Sequence, residues 1–285
     1  LLFYAKVFWL LLTGKYGLVY LNEAGHIKYM VQLARVFRKR KFIVHVRMLE
    51  DSDASRWKGG IPDNVTVLAI SKYISERLPV RNLLVYDAYP FSDEILPSRS
   101  GKPDIVRVAV IGRITKTKGL GLLPAILDRV LGDGSEGEYL FEMYGEIADD
   151  ILQDQLLNVL KKSKSIVLKG FERNRELIYR SADCILHLSK QEALGRIFFE
   201  AIDHFKPLVG FKAAGIGEIA ELLQIEHWLA DPDSPDPASA IYNLLKDVKQ
   251  NYEGRQQETA QKKIQAIQIF NPAIYQERVD QLLST

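Results

Sequence analysis

The sequence predicts an α/β protein of two units, each a mainly parallel sheet with helices on both faces. Three observations carry this reading. Short apolar runs alternate with helical patterns along nearly the whole chain, the order that βαβ units produce. The length, 285 residues, suits two domains of ordinary size. The span Tyr89 to Lys102, with Pro90, Pro97, Gly101 and serines, reads as a linker between them.

The first unit reads as residues 1–100. It opens on Leu1-Leu2-Phe3-Tyr4-Ala5-Lys6-Val7-Phe8-Trp9-Leu10-Leu11-Leu12. That run is too short to span a bilayer, and it lacks the leading charges and small-residue cleavage site of a signal peptide. An amphipathic or buried helix over 1–13 is expected, stopped at Thr13-Gly14. Strands are expected near 17–22, 42–47, 65–70 and 83–87, and helices near 27–40 and 71–78.

The second unit reads as 101–270. Its expected strands are 105–111, 138–144, 165–169, 183–188, 207–211 and one near 226–230. Its helices are 119–131, 149–162, 173–181, 195–205, 216–223, 238–250 and 255–268. Asp236 and Pro237 suit the cap and first position of the helix from 238. Asn271-Pro272 breaks the pattern, and a last helix runs over 271–285.

Lysine and arginine number 38 against 36 acidic residues. That balance argues against a nucleic-acid binder, which would carry a strong basic excess. The single cysteine, Cys184, excludes an internal disulfide and fits a reducing compartment. It lies in an apolar run, so a buried thiol is the reading. No Cys and His cluster has metal-ligand spacing.

Two stretches carry the chemistry. Between Ser189 and Glu218, Glu192 and Glu200 follow the apolar run Ala182–Leu188, with Gly195 between them. Glu192 should sit at the carboxyl end of a parallel strand and Glu200 in the next helix, where open α/β sheets bind ligands. A carboxylate there accepts hydrogen bonds from sugar hydroxyls, and first-turn amides can face a diphosphate. The other stretch is Gly112-Arg113-Ile114-Thr115-Lys116-Thr117-Lys118-Gly119, after the run Ile105–Ile111. It is neither a P-loop nor a dinucleotide fingerprint. It places cations at a helix N-terminus, against the macrodipole, unless an anion binds between them.

Together these residues resemble the retaining glycosyltransferases of family 4. Gly112, Arg113, Ile114, Lys118 and Gly119 match that family's G-R-hydrophobic-x-x-x-K-G. Ser189, Glu192, Gly195, Glu200 and Ala201 match its S-x-x-E-G-F-G-x-x-x-x-E-A. Strand ends at Gly145 and at Gly170-Phe171, then Glu176-Leu177, Pro207, Gly215 and Glu218, follow in order. The resemblance is strong from about Asp104 to Leu222 and fainter from Gly17 to Asp87.

The resemblance implies the GT-B architecture, two Rossmann-like domains whose parallel sheets face each other across a cleft. Residues 1–100 would form the acceptor side, 101–270 would bind the nucleotide-sugar, and 271–285 would cross back to the first domain. A fuller N-terminal domain of the family has more elements, among them a Gly-rich loop that residues 1–20 do not match. A fragment or a reduced first domain is therefore expected, one that binds nucleotide but transfers sugar poorly.

The resemblance also implies roles. Arg113 and Lys118 would bind the donor diphosphate and stabilise the leaving group. Glu192 would orient the donor sugar and Glu200 would hold the ribose. The amides of Leu194, Gly195 and Arg196 would face the diphosphate. Ala193, Leu194 and Arg196 depart from the family's usual glycines and aromatics, which puts donor identity in doubt. No cofactor or metal is implied. Asp51-Ser52-Asp53 and Asp231-Pro232-Asp233 have D-x-D spacing; turn and capping roles suffice for the second, whereas the first follows the Arg47 strand end and leaves a metal role as an alternative.

On the acceptor side, His26 and Arg47 follow strand ends and are candidate contacts. His45 reads as a packing histidine, and so do His187, His204 and His227. The cluster Arg35-Arg38-Lys39-Arg40-Lys41 is by default a solvated helix end. Its sharper reading is contact with an anionic membrane face, on the cytoplasmic side of the plasma membrane. The partners implied are a nucleotide-sugar donor and a saccharide or lipid-linked acceptor of cell-envelope polysaccharide or glycolipid synthesis. A sugar-nucleotide epimerase of the same architecture and an inactive sugar-nucleotide-binding subunit remain as alternatives.

Overall fold

The computed structural model describes residues 2–94, 101–148, 154, 158 and 163–284. They form two compact units. One holds the chain up to Ala88 together with the residues from Pro272 onward; the other runs from Tyr89 to Asn271.

The first unit contains α1 (Leu2–Leu12), β1 (Leu18–Leu21), α2 (Ile27–Val36), β2 (Lys41–Val46), β3 (Val65–Ala69), α3 (Lys72–Ser75) and β4 (Leu83–Leu84). The strands make a parallel sheet in the order β1-β2-β3-β4. β2 is buried from Phe42 to Val46, which explains its continuous apolar reading. Ile43, Leu68 and Val85 form a core with Val279 of the C-terminal helix Pro272–Ser284.

The helix expected to reach residue 40 stops at Val36. The side-chain amide of Asn64 donates to the carbonyls of Ala34, Phe37 and Arg40 at 3.1, 3.3 and 2.9 Å. These contacts satisfy carbonyls that the helix end leaves open. The helix expected over 71–78 shortens to α3. Ser71 caps its start by accepting from the Ile74 amide, and Asn82 binds Ser75 at its end, donating to the carbonyl and accepting from the hydroxyl.

The second unit contains β5 (Val106–Ile111), α4 (Leu123–Gly132), β6 (Tyr139–Tyr144), β7 (Ile166–Gly170), α5 (Arg175–Ser181) and β8 (Cys184–His187). It continues with α6 (Arg196–Asp203), β9 (Leu208–Phe211), α7 (Ala214–Leu223), β10 (Leu229–Ala230), α8 (Pro237–Gln250) and α9 (Tyr252–Phe270). The C-terminal helix is α10. Of the helix expected over 149–162, Asp154 and Asn158 alone are among the described residues, and both are helical. Asp236 caps α8 by accepting from the Ser239 amide at 3.0 Å, and Pro237 opens the helix. Cys184 is fully buried, and burial pushes its thiol up.

The sheet is parallel throughout, in the order β10-β9-β8-β5-β6-β7. The chain runs outward from β5 to β6 and β7, then crosses back to lay β8 on the other side of β5. The carboxyl ends of β5 and β8 thus flank a topological switch point, where open α/β sheets leave a crevice.

The segment 89–94 is fastened to this unit. Asp203 accepts from the backbone and hydroxyl of Ser92 at 2.8 and 3.0 Å. It also pairs with buried Lys263 at 2.9 Å. Among the described residues, no helix is long and apolar enough to cross a membrane.

Candidate functional site

The loops that leave β5 and β8 are locked together by glycines. Gly119 has φ 77°, and a Cβ there would lie 1.9 Å from the carbonyl oxygen of Leu188, just past β8. This left-handed residue splits the expected helix start into two 3-10 turns, Lys116–Lys118 and Leu120–Leu122. Thr115 caps the first turn by accepting from the Lys118 amide at 3.3 Å. On the other loop, the Gly215 amide donates to the Glu192 carbonyl at 3.0 Å. A Cβ on Gly215 would fall 2.5 Å from the Leu194 Cα. Gly195, with φ 82°, turns the chain into α6 against Ile216.

Between these loops lies a cavity of about 320 Å³. Its walls bring together Arg113, Lys118, Glu192, Gly195, Arg196 and Glu200. Leu194 is buried beside them. A second pocket of about 270 Å³ shares Ile111, Gly112, Arg113 and Arg175 with the first and is bounded by Tyr144, Gly145 and Phe171.

Both carboxylates have cationic partners. The Lys118 Nζ lies 2.7 Å from the Glu192 Oε1. The Arg175 Nη1 lies 2.5 Å from the Glu200 Oε1. The Tyr179 hydroxyl donates to the Glu200 Oε2 at 2.7 Å. Tyr179 stacks on His204, and burial, with Glu200 beside it, pushes its hydroxyl up. The cavity walls carry Arg113, Lys118, Arg175 and Arg196 against Glu192 and Glu200. Positive charge is in surplus, and Arg113 makes no ion pair among the described residues. Such a pocket is suited to a polyanion with hydroxyl groups attached.

Burial works to raise the Glu192 carboxyl, but His187 and Lys118 outweigh it and bring it down from 4.5 to about 2. The fold therefore favours the carboxylate. Its contribution to stability is complete above pH 4.5 and is lost as the pH falls through about 2. Glu192→Gln should show a lower melting temperature than wild type at pH 5 and above, with the gap closing as the pH falls towards 2. A gap that stays constant across that window would count against the pairing.

Arg175, Tyr179 and His187 were missed as site residues in the sequence. Arg175 stands in the first turn of α5, so it offers the same cation-at-a-helix-start signal that marked Arg113. His187 is the last residue of β8, at the carboxyl end of a strand beside the switch point.

The acceptor-side candidates, His26 and Arg47, belong to the first unit. The Tyr4 hydroxyl bonds to the His26 Nδ1. Arg47 pairs with Asp87 at 2.8 Å. His45 is fully buried, with its Nδ1 2.8 Å from the Tyr20 hydroxyl. Burial and the Arg47 charge push its imidazole down to about 3. Of the D-x-D stretches, Asp51 accepts from the Ala24 amide and Asp53 caps a turn at Ser55. Asp231 accepts from the Asp233 amide. Among the described residues, no three His, Cys, Asp or Glu side chains group so as to hold a metal ion.

Residues 106–247 match the family model for Glycosyl transferases group 1. No curated protein matches the chain by sequence. Solved structures do match it in fold. Anabaena HepE in complex with UDP and glucose superposes with a TM-score of 0.77 at 16% identity, covering 99% of this chain and 81% of that one. A glycosyltransferase from Rickettsia africae gives 0.75 at 14% identity, covering 98% and 79%. The pneumococcal O-GlcNAc transferase GtfA, in complex with UDP and GlcNAc, gives 0.70 at 18% identity, covering 98% and 59%. With its two parallel sheets, the fold is that of the GT-B glycosyltransferases.

Proposed function

We propose that this protein is a retaining glycosyltransferase of family 4. It would move a sugar from a nucleotide-activated donor to a saccharide or lipid-linked acceptor, in polysaccharide or glycolipid synthesis of the cell envelope. The observation that carries this reading is the cavity at the switch point, where Arg113 and Lys118 from the loop after β5 meet Glu192 from the loop after β8 and Glu200 from α6. HepE and GtfA, similar in fold, are described with UDP.

In this reading Arg113 and Lys118 neutralise the charge that grows on the departing diphosphate. The amides of Leu194, Gly195 and Arg196 face the same group at the start of α6. Glu200, held by Arg175 and Tyr179, binds the ribose, and Glu192 orients the sugar. Attack comes on the face the leaving group departs from, with the phosphate taking the acceptor proton. That route needs neither a protein nucleophile nor a metal. His26 and Arg47 are the acceptor-side candidates. The enzyme would work in the cytoplasm, at the inner face of the plasma membrane. Arg35, Arg38, Lys39 and Lys41 are exposed in the first unit, where each could add about 1 kcal/mol at an anionic surface. Cosedimentation with anionic but not zwitterionic vesicles would test that contact.

Calorimetry with UDP, GDP and ADP tests the donor site. Arg113→Ala and Glu200→Gln should each weaken the best ligand by about tenfold, whereas Glu192→Gln should mainly reduce transfer. Equal affinity in Arg113→Ala and wild type would remove the phosphate assignment. Labelled sugar nucleotides with envelope lipid extract test the reaction: an epimerised donor, or no product at all, would replace it with one of the alternatives. NMR of the product's anomeric proton tests retention.

A further inference from the structure

Glu192 has a second neighbour. The His187 Nε2 lies 3.4 Å from the same Oε1 that Lys118 holds at 2.7 Å. His187 lines the cavity with only 11% of its side chain exposed. Its Nε2 is buried and has no hydrogen-bond partner, so it approaches the carboxylate without a hydrogen bond's alignment. A buried polar nitrogen left in this way is costly, and such an atom at a ligand cavity calls for a reason.

Lys118 supplies one. Its side chain is 40% exposed on a mobile stem, whereas the Glu192 backbone is tied to Gly215. A diphosphate entering the cavity would draw the Lys118 ammonium towards its oxygens. Glu192 would then stand as a part-buried carboxylate without its closest cation, beside a new anion. Both effects oppose binding. His187 is already placed to prevent them, with its Nε2 3.4 Å from Oε1.

We infer that His187 is a positioning residue of the donor site, taking over Glu192 when Lys118 is released to the phosphates of the nucleotide. This rests on the donor-site reading above. It makes Glu192 a carboxylate with two alternate holders, one for the empty site and one for the filled site. The sugar-orienting carboxylate then stays in place while the cation beside it moves.

The test is calorimetry on the full chain with UDP, GDP and ADP, taking forward the nucleotide that wild type binds best. His187→Leu should weaken that nucleotide by about tenfold. His187→Gln, whose amide nitrogen reaches about as far as Nε2, should stay within about threefold of wild type. In a Glu192→Gln background, where no charge holds Lys118, adding His187→Leu should change affinity by less than about twofold. A His187→Leu variant that binds as wild type does would overturn the inference. So would a loss of the same size in the Glu192→Gln background, or a Gln variant as weak as the Leu variant. Should His187→Leu melt below the working temperature, His187→Asn, too short to reach Glu192, takes its place against His187→Gln under the same criteria. If wild type binds none of the three nucleotides, the donor-site reading itself fails, and that outcome is visible before any variant is made.

Discussion

Lys118→Ala should weaken nucleoside-diphosphate binding by about 30- to 100-fold, a loss of about 2–3 kcal/mol. Two effects add. The variant loses a cation that can bond phosphate oxygens directly. It also takes from Glu192 the ammonium that sits 2.7 Å from its carboxylate, so an anion in the cavity meets more negative charge. Arg113→Ala should lose less, because Arg113 neutralises no carboxylate among the described residues. The second effect can be separated from the first. Lys118→Ala combined with Glu192→Gln should bind more tightly than Lys118→Ala alone, since the unmasked charge is gone. Calorimetry on the three variants decides it. If the double variant is no tighter than Lys118→Ala, Glu192 does not act on the phosphate site in this way.

Gly119→Ala should destabilise the second unit by about 3 kcal/mol or more. The new Cβ would sit 1.9 Å from the Leu188 carbonyl oxygen and 2.5 Å from its carbon. Backbone lies on both sides, so no side chain can swing away. The residue also holds φ 77°, where an L side chain adds strain. On a unit of this size the melting temperature should fall by about 6–12 °C. Diphosphate binding should fall as well, because relief requires the loop carrying Lys118 to back off from the end of β8. Gly121→Ala is the control. It is two residues on, its nearest contact would be the Lys116 Cγ at 3.6 Å, and its φ is not in the left-handed region. It should change stability by no more than about 0.5 kcal/mol. Equal melting temperatures for the two variants would mean that the two loops are not in fact locked at Gly119.

The element types were legible in the sequence because apolar spacing is a local property. The runs Val106–Ile111 and Cys184–His187 are apolar in nearly every position, as strands buried on both faces must be. The positions of Gly112, Gly119 and Gly195 were legible for a similar reason, since each marks a turn that only glycine adopts at low cost. Helix ends were less legible. Nothing within the run from Ile27 stops α2 at Val36; the cause is Asn64, which reaches back from the segment before β3. Phe37 even keeps one helical bond to the Leu33 carbonyl before the chain turns.

What the sequence by itself determined, then, is the alternation of strand and helix, the positions of the two charged loops, and the residues that match the family signature. What only the tertiary structure decided is who meets whom. Lys118 and Glu192 are 74 residues apart in sequence. They meet because β8 returns to pair with β5 rather than adding beyond β7. Strand order is set by which faces the crossovers cover, and apolar periodicity carries no record of it. His187 shows the same limit at a single residue. As a lone histidine in an apolar run it reads as packing, and most of its ring is indeed buried. Only the switch point beside β5 turns its Nε2 towards a carboxylate and gives a buried nitrogen something to do.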